Sequence, residues 1–230
     1  QAGVLAPYGR ALIPPGRLTL PGMLKKAGYR TACIGKWHLG WNWPEGGDKD
    51  FTKPIPGGPT AAGFDYYFGT DVPNYPPYCF IENDRTVGIP SVAKPREMYG
   101  NPGLMLPGWT QEEILPRLAE KAGEWVAASA REGKPFFLYL PLTSPHTPIV
   151  PTAEWLGKSG LGKYADFVME TDWAVGEVLR ALDVAAVSDD TLVIFASDNG
   201  CAPQAGIPEL EKQGHFPSRD LRGYKSDIWD

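Results

Sequence analysis

The sequence is poor in the residue types that mark several common protein classes. Only three of its 230 residues are cysteines, and Cys33, Cys79 and Cys201 form neither a metal-type pair nor a dense disulfide framework. The 22 basic residues are outnumbered by 27 acidic ones, and no run of Lys or Arg suggests a nucleic-acid or membrane footprint. The longest apolar runs are far too short to cross a bilayer. We therefore expect no disulfide scaffold, no nucleic-acid partner and no membrane span.

The chain has enough apolar residues to form a hydrophobic core. Hydrophobic residues make up 43% of the sequence, which fits one domain or a large piece of one. Gln1 is not an initiator Met, and the chain stops at Asp230 just after a charged, Gly-containing segment. We expect both ends to be cut, so that residues 1–230 form part of a larger domain.

The spacing of apolar residues predicts alternating helices and strands. The predicted helices are Thr19–Gly28, Gln111–Arg131 and Tyr164–Val184, and the predicted strands are Tyr29–Gly35, Phe136–Leu142 and Thr191–Ala196. The last two strands are continuous apolar runs, as in strands buried on both faces. Residues 41–110 are crowded with Pro, Gly and aromatic residues and predict an irregular insertion on the substrate side. The order predicts an α/β fold with helices on the faces of a mostly parallel sheet.

Polar residues follow the first two predicted strands, where ligands of such sheets collect. Lys36 and His38 come after the first strand, and alternation places them on one side of the chain. Taken alone, this pair is better explained by a surface Lys beside a packed His. His146 follows the second strand, and flanking prolines restrict the direction of its ring. A lone loop histidine is more often structural than catalytic, but this position makes the two interpretations about equal.

A carboxylate and an amide follow the third predicted strand. Asp198 and Asn199 offer hard oxygen donors suited to Ca²⁺ or Mg²⁺, although a plain Asx turn uses the same residues. Lys225 could add a second cation to the same cleft, or could be a solvated surface residue. The positions of these residues together favour one site, because two of the three histidines and the candidate metal pair all follow predicted strands. His215 has no such placement, and we expect no role for it.

These segments, in this order, resemble the formylglycine-dependent sulfatases of the alkaline phosphatase superfamily. The matching segments are LPGMLKKAGYRTACIGKWHLG at 20–40, FFLYLPLTSPHTP at 136–148, residues 162–182, TLVIFASDNG at 191–200 and LRGYK at 221–225. GKWHLG combined with a downstream SDNG is a specific signal. GFDYYFG followed by PPYCFIENDR is similar to arylsulfatases and N-acetylgalactosamine-6-sulfatases. The resemblance implies a three-layer α/β/α fold of the alkaline phosphatase type, here incomplete.

The resemblance also implies a function and roles for individual residues. The function is hydrolysis of sulfate esters of sugars or aryl groups, with Ca²⁺ or Mg²⁺ and a formylglycine made by a maturing enzyme. Lys36 would contact the sulfate and the formylglycine, and His38 would assist release of the sulfate. His146 and Lys225 would bind the sulfate and its bridging oxygen, and Asp198 with Asn199 would hold the cation. Family members are commonly exported to the periplasm, the cell surface or the lysosome.

The sequence departs from the family pattern at the nucleophile. No cysteine lies in a C/S-x-P-x-R motif; Cys201–Ala205 comes nearest but lacks the Arg. The acidic pair that family members carry for the metal is also absent, and Asn74 is a weak candidate for a further polar site residue. We therefore expect the nucleophile to lie outside this chain. Two alternatives stay open: a phosphoester or phosphonate hydrolase of the same superfamily, and a non-catalytic protein that binds sulfated glycans.

Overall fold

The computed structural model describes residues 5–44 and 49–227. Its helices are α1 Leu20–Lys26, α2 Ile114–Glu132, α3 Lys163–Val184 and α4 Ile207–Lys212. Its strands are β1 Arg30–Lys36, β2 Tyr66–Thr70, β3 Ile81–Glu82, β4 Arg85–Thr86, β5 Val92–Ala93, β6 Leu104–Met105 and β7 Phe136–Tyr139. In this part of the chain no helix combines the length and apolar character that crossing a bilayer requires.

The central sheet has the order β4-β3-β2-β1-β7, with β2, β1 and β7 parallel and the two short strands antiparallel. This mixed sheet with its helices confirms the predicted α/β fold. The sequence interpretation missed β2, which lies inside the stretch 41–110 that it treated as irregular. The strand is only five residues long, and four of them are buried in succession, so no alternation marks it.

Alternate residues of β1 supply the two faces of the core. Ala32 and Ile34 pack with α2 and α3, because the apolar stripe of α2 lies against this face. Cys33 points the other way, into a cluster of aromatic side chains from the segment after β1 that includes Trp41 and Trp43. An aromatic loop therefore covers one face of the sheet, and two long helices cover the other.

The predicted strand Thr191–Ala196 is wrong for this structure. It has no ladder partner among the described residues, and the sheet ends at β7. Leu192, Ile194 and Phe195 are 84%, 81% and 75% exposed. An apolar run indicates a tendency to be buried, but burial also needs a neighbouring surface, and the described residues leave this run largely exposed.

The backbones of β1 and β2 approach each other very closely near their carboxyl ends. A Cβ on Gly69 would lie 1.8 Å from the carbonyl oxygen of Gly35. A Cβ on Gly35, whose φ is 143°, would lie 2.1 Å from the carbonyl oxygen of Pro141. The glycines keep the strands in register, so that Lys36 pairs with Thr70 where both strands end.

Candidate active site

Lys36 ends β1 and is anchored on both sides. Its N–H donates to the carbonyl of Pro141 at 2.8 Å, and the N–H of Trp37 donates to the carbonyl of Thr70 at 3.1 Å. Burial lowers the pKa of the Lys36 ammonium, the charge of Lys225 lowers it further, and Asp198 and Asp71 oppose the shift. The backbone therefore fixes the base of this half-buried cation at the sheet edge.

His38 follows two residues later in a left-handed conformation, with φ of 49°. Its N–H donates to the carbonyl of Asp71 at 3.1 Å, and its Nε2 lies 3.2 Å from the carbonyl oxygen of Leu5. Its ring meets the ring of Tyr75 edge-on, with centroids 5.8 Å apart. Burial and the charge of Lys36 lower the pKa of His38, and the contact with Leu5 opposes them. The imidazole is therefore held by contacts on several sides.

His146 lies in the loop after β7. Its Nδ1 is 2.8 Å from the carbonyl oxygen of Thr147, and the neighbouring hydroxyl of Ser144 accepts a 2.7 Å hydrogen bond from Thr171 of α3. Burial lowers the pKa of His146, and Lys36 and Lys225 add to that effect. The contact with Thr147 and the charge of Asp198 oppose it. The loop is thus tied to α3 while the imidazole faces two cations.

Electrostatic interactions link four residues of these segments: Lys36, His146, Asp198 and Lys225. Lys36 senses the charges of Lys225 and Asp198. His146 senses the charges of Lys36, Lys225 and Asp198. The N–H of Lys225 donates to the carbonyl of Cys201 at 3.0 Å, which joins the final loop to the segment after Asp198. A cleft of about 220 Å³ is lined by His146 and Lys225, among others. A histidine and a lysine that are far apart in sequence therefore line one cleft.

Asn199 is exposed, and its main-chain carbonyl accepts a 2.7 Å hydrogen bond from the hydroxyl of Ser197. Within residues 5–44 and 49–227 no three or more His, Cys, Asp or Glu side chains are grouped to hold a metal. Asp198 and Asn199 suit Ca²⁺ in the kind of donor they offer. Calcium takes about six to eight oxygen ligands, so this pair accounts for only a part of such a site.

Asp71 is a buried carboxylate near Lys36 that sequence reasoning did not consider. It directly follows β2, so recognising that strand would have placed it beside Lys36 at the same edge. It is only 6% exposed, and burial raises the pKa of its carboxyl to about 6, against the lowering effects of Trp41, the N–H of His38 and Lys36. Asn74, the weak candidate, has a buried Oδ1 with no partner among the described residues. His215 is exposed.

Comparison with known proteins decides the family. The sulfatase family profile matches residues 2–225, nearly the whole chain. The chain belongs to the sulfatase family. Among curated sulfatases, it is 30% identical over 271 aligned residues to an N-acetylgalactosamine-6-O-sulfatase of Bacteroides thetaiotaomicron. It is 35% identical over 193 residues to the human N-acetylgalactosamine-6-sulfatase.

Solved sulfatase structures agree with the fold. One described with the metabolism of multiple glycosaminoglycans by Bacteroides thetaiotaomicron aligns with a TM-score of 0.80 at 30% identity, over 96% of this chain and 54% of that one. A Pseudoalteromonas sulfatase aligns with a TM-score of 0.56 at 22% identity, over 83% of this chain and 41% of that one, and supports the fold alone. Of the curated relatives, the alignments cover 100% and 83% of this chain but only 52% of the bacterial protein and 34% of the human one.

Proposed function

We propose that this chain is part of an enzyme that hydrolyses sulfate esters of sugars or aryl groups. The observation that carries the proposal is the cleft lined by His146 and Lys225, together with the electrostatic interaction of both residues with Lys36 at the end of β1. Cleavage of a sulfate ester moves negative charge onto the departing oxygen. Fixed cations in a cleft stabilise that charge more strongly than water does. Membership in the sulfatase family supports sulfate over other anions.

In this proposal the two lysines bind sulfate oxygens and His146 serves the leaving oxygen. The Nδ1 of His146 contacts the carbonyl of Thr147, so Nε2 is the nitrogen that can reach a substrate. Burial and the lysines favour the neutral ring. A bound sulfate offsets those positive charges and favours the protonated ring, which could then donate to the departing alcohol.

Formylglycine, made by a maturing enzyme, would supply the nucleophile of this reaction. No Cys or Ser of the present sequence lies in a C/S-x-P-x-R motif, so the proposal places that residue outside the chain. Asp198 and Asn199 would provide two of the ligands of a Ca²⁺ or Mg²⁺ ion, which would add positive charge beside the sulfate. Lys36 and His38 would face the nucleophile from the end of β1.

Two relatives are named for 6-sulfated N-acetylgalactosamine, so sulfated amino sugars are the first substrates to test. Phosphoester hydrolysis and non-catalytic glycan binding are not favoured by the comparisons. Export from the cytoplasm stays a prediction, which the cell fraction that holds the longer enzyme would test.

The test replaces His146 by Ala in the longer enzyme and measures turnover over a series of sulfate esters. We expect losses of about a hundredfold or more for alkyl and sugar sulfates, and much smaller losses for activated aryl sulfates. General-acid help matters most when the departing oxygen is strongly basic. His215→Ala is the matched control and should change neither class.

Equal losses across the series would remove the acid role and leave His146 as a sulfate binder. Turnover of phosphate monoesters but not of sulfates would overturn the proposed function. Tight binding of sulfated sugars without any turnover by the matured enzyme would do the same.

A further inference from the structure

A second cavity adjoins the cleft that His146 and Lys225 line. Its volume is about 320 Å³, and it is bounded by residues of the segments 161–164 and 204–210 together with Ile149. We call it the side cavity. Four residues line both the side cavity and the cleft: Ile149, Tyr164, Gln204 and Ala205. The side cavity therefore extends from the cleft to the beginnings of α3 and α4.

The backbone around the side cavity is held in place. The carboxylate of Asp166 accepts the N–H groups of Gly157 and Ser159, both at 2.9 Å, and so fixes the loop before α3. Gly162 and Gly206 line the side cavity, and a Cβ on either glycine would meet no atom within 4 Å. The space beside these two glycines is therefore open, although the loop before α3 is anchored.

Most of the side cavity is lined by apolar side chains. Ile149, Leu161 and Tyr164 are partly buried, and Leu210 is only 2% exposed. Sites for small organic ligands are typically concave and mostly apolar, with a few polar groups that fix orientation and specificity. The size and the wall of the side cavity fit this description, so its polar residues indicate what kind of ligand it takes.

Three polar side chains belong to the lining, those of Lys163, Gln204 and Glu209. Within residues 5–44 and 49–227, the side chains of Lys163 and Gln204 make no hydrogen bond or ion pair. Glu209 lies 3.5 Å from the ammonium of Lys212, and both side chains are mostly exposed, so this pair holds Glu209 only weakly. An amide and a carboxylate are thus available to a ligand beside an apolar wall.

We propose that the side cavity is the subsite for the sugar ring of the sulfate ester, and that Gln204 and Glu209 select a sugar over an apolar alcohol. The assignment rests on the proposed function, which puts the sulfate beside His146 and Lys225. In a sulfate ester one oxygen joins the sulfur to the alcohol, so the alcohol must lie directly beside the sulfate. The side cavity adjoins the cleft at that place.

The two kinds of wall favour a sugar over an aryl group. The C–H groups of a sugar ring pack on apolar side chains, while its hydroxyls donate to a carboxylate and exchange hydrogen bonds with an amide. An aryl group would contact the same apolar wall of Ile149 and Tyr164. It would leave Gln204 and Glu209 without a partner in the substrate, and sites with such polar groups discriminate against substrates that lack the matching hydroxyl.

The kinetic test uses the longer enzyme with 6-sulfated N-acetylgalactosamine and an activated aryl sulfate. Gln204→Ala should raise KM for the sugar about threefold to tenfold, and Glu209→Ala about tenfold or more, because hydrogen bonds to a charged group contribute more. We expect kcat for the sugar, and KM for the aryl sulfate, to change less than about threefold, since these contacts bind the ground state and the transition state alike. Gln213→Ala and Glu154→Ala are the matched controls, because both residues are exposed and line neither space.

The binding test uses the longer protein made without the maturing enzyme, so that ligands bind without turnover. NMR titration with 6-sulfated N-acetylgalactosamine should give a Kd about tenfold or more higher for Glu209→Ala than for the parent. The Kd of inorganic sulfate should change less than about twofold, because sulfate alone occupies the cleft and the two sites then contribute independently. His146→Ala should weaken the binding of both ligands.

Equal weakening of sulfate and sulfated sugar would place Gln204 and Glu209 at the sulfate itself and overturn the inference. Unchanged KM for the sugar in both variants would overturn it too, and so would a larger effect on the aryl sulfate. A parent enzyme without sulfatase activity would refute the proposed function, while the two Kd values still decide the role of the side cavity. A parent protein that binds inorganic sulfate but not the sulfated sugar would refute the inference alone.

Discussion

At the scale of single residues, the enclosed carboxyl of Asp71 lowers the stability of the fold. Asp71 is almost fully enclosed, and burial raises the pKa of its carboxyl from 3.8 to about 6. The partners that lower this pKa, Trp41, the His38 N–H and Lys36, do not compensate fully. Residues that serve a site often destabilise the fold that carries them.

This cost predicts a pH-dependent effect of Asp71→Asn. A raised pKa means that the folded chain binds the proton more tightly than the unfolded chain, so the free energy of unfolding falls as pH rises from about 3.8 through about 6. The amide keeps the shape and carries no charge. At pH 7.5 we expect the variant to be more stable than the parent by up to about 3 kcal/mol, and at pH 4 the difference should disappear. Urea unfolding at the two pH values measures this, and a variant that loses stability at pH 7.5 would contradict it.

At the scale of helices and strands, the sequence predicted those elements that carry their own pattern. α2 and α3 have long amphipathic stripes, β7 is an apolar run entered through Pro135, and β1 follows the predicted helix stop at Gly28, so all four were found. β2 was missed because five residues among aromatic and Gly-rich neighbours show no period. The segment 191–196 was assigned wrongly because its composition indicates burial but says nothing about a neighbour.

The candidate site residues differ in the same way, according to whether the strand before them has a recognisable sequence pattern. Lys36, His38 and His146 could be proposed as site residues because they follow recognised strands. Asp71 follows a strand that was not recognised. Its enclosure depends on Trp41, thirty positions earlier in the chain, and no local pattern connects the two.

The packing of α2 against the sheet predicts a large effect for one core side chain. Leu118 is completely buried beside Ala32, Ile34 and Phe68. Leu118→Ala should lower the free energy of unfolding by about 2–5 kcal/mol, because the methyl groups and the filled volume are both lost. Leu179→Ala, on the exposed side of α3, is the control and should cost less than about 1 kcal/mol. Urea denaturation of both variants makes the comparison, and equal losses would mean that α2 does not pack as described.

At the scale of the whole molecule, the exposed run at 191–196 predicts association. Leu192, Ile194 and Phe195 form an apolar strip on the surface of this 230-residue chain. We expect the chain to bind an apolar dye and to self-associate at micromolar concentration. Ile194→Lys should reduce both. Light scattering and dye fluorescence measure the change, and a monomeric, dye-free parent chain would show that the strip is covered.

The incomplete ligand set predicts weak metal binding and no turnover by this chain alone. Asp198 and Asn199 supply too few oxygens for Ca²⁺, and only one formal charge. Calorimetric titration should find no tight stoichiometric binding, and an aryl sulfate should not be hydrolysed even with Ca²⁺ present. Turnover that disappears on His38→Ala would mean that the chain carries a nucleophile of its own.

The close approach of β1 and β2 at Gly35 and Gly69 affects how this protein should be studied by mutation. Neither glycine carries a functional group, yet even a methyl group at either position would collide with a carbonyl oxygen about 2 Å away. A side chain at 69 must push apart the ends of β1 and β2, where Lys36 pairs with Thr70, and a side chain at 35 must push β1 away from Pro141 in the segment after β7. In a saturation screen for activity, positions 35 and 69 would therefore tolerate as little as the residues around the cleft. A screen scored on activity alone would assign them to the chemistry, and a parallel screen for folded protein would separate the two groups.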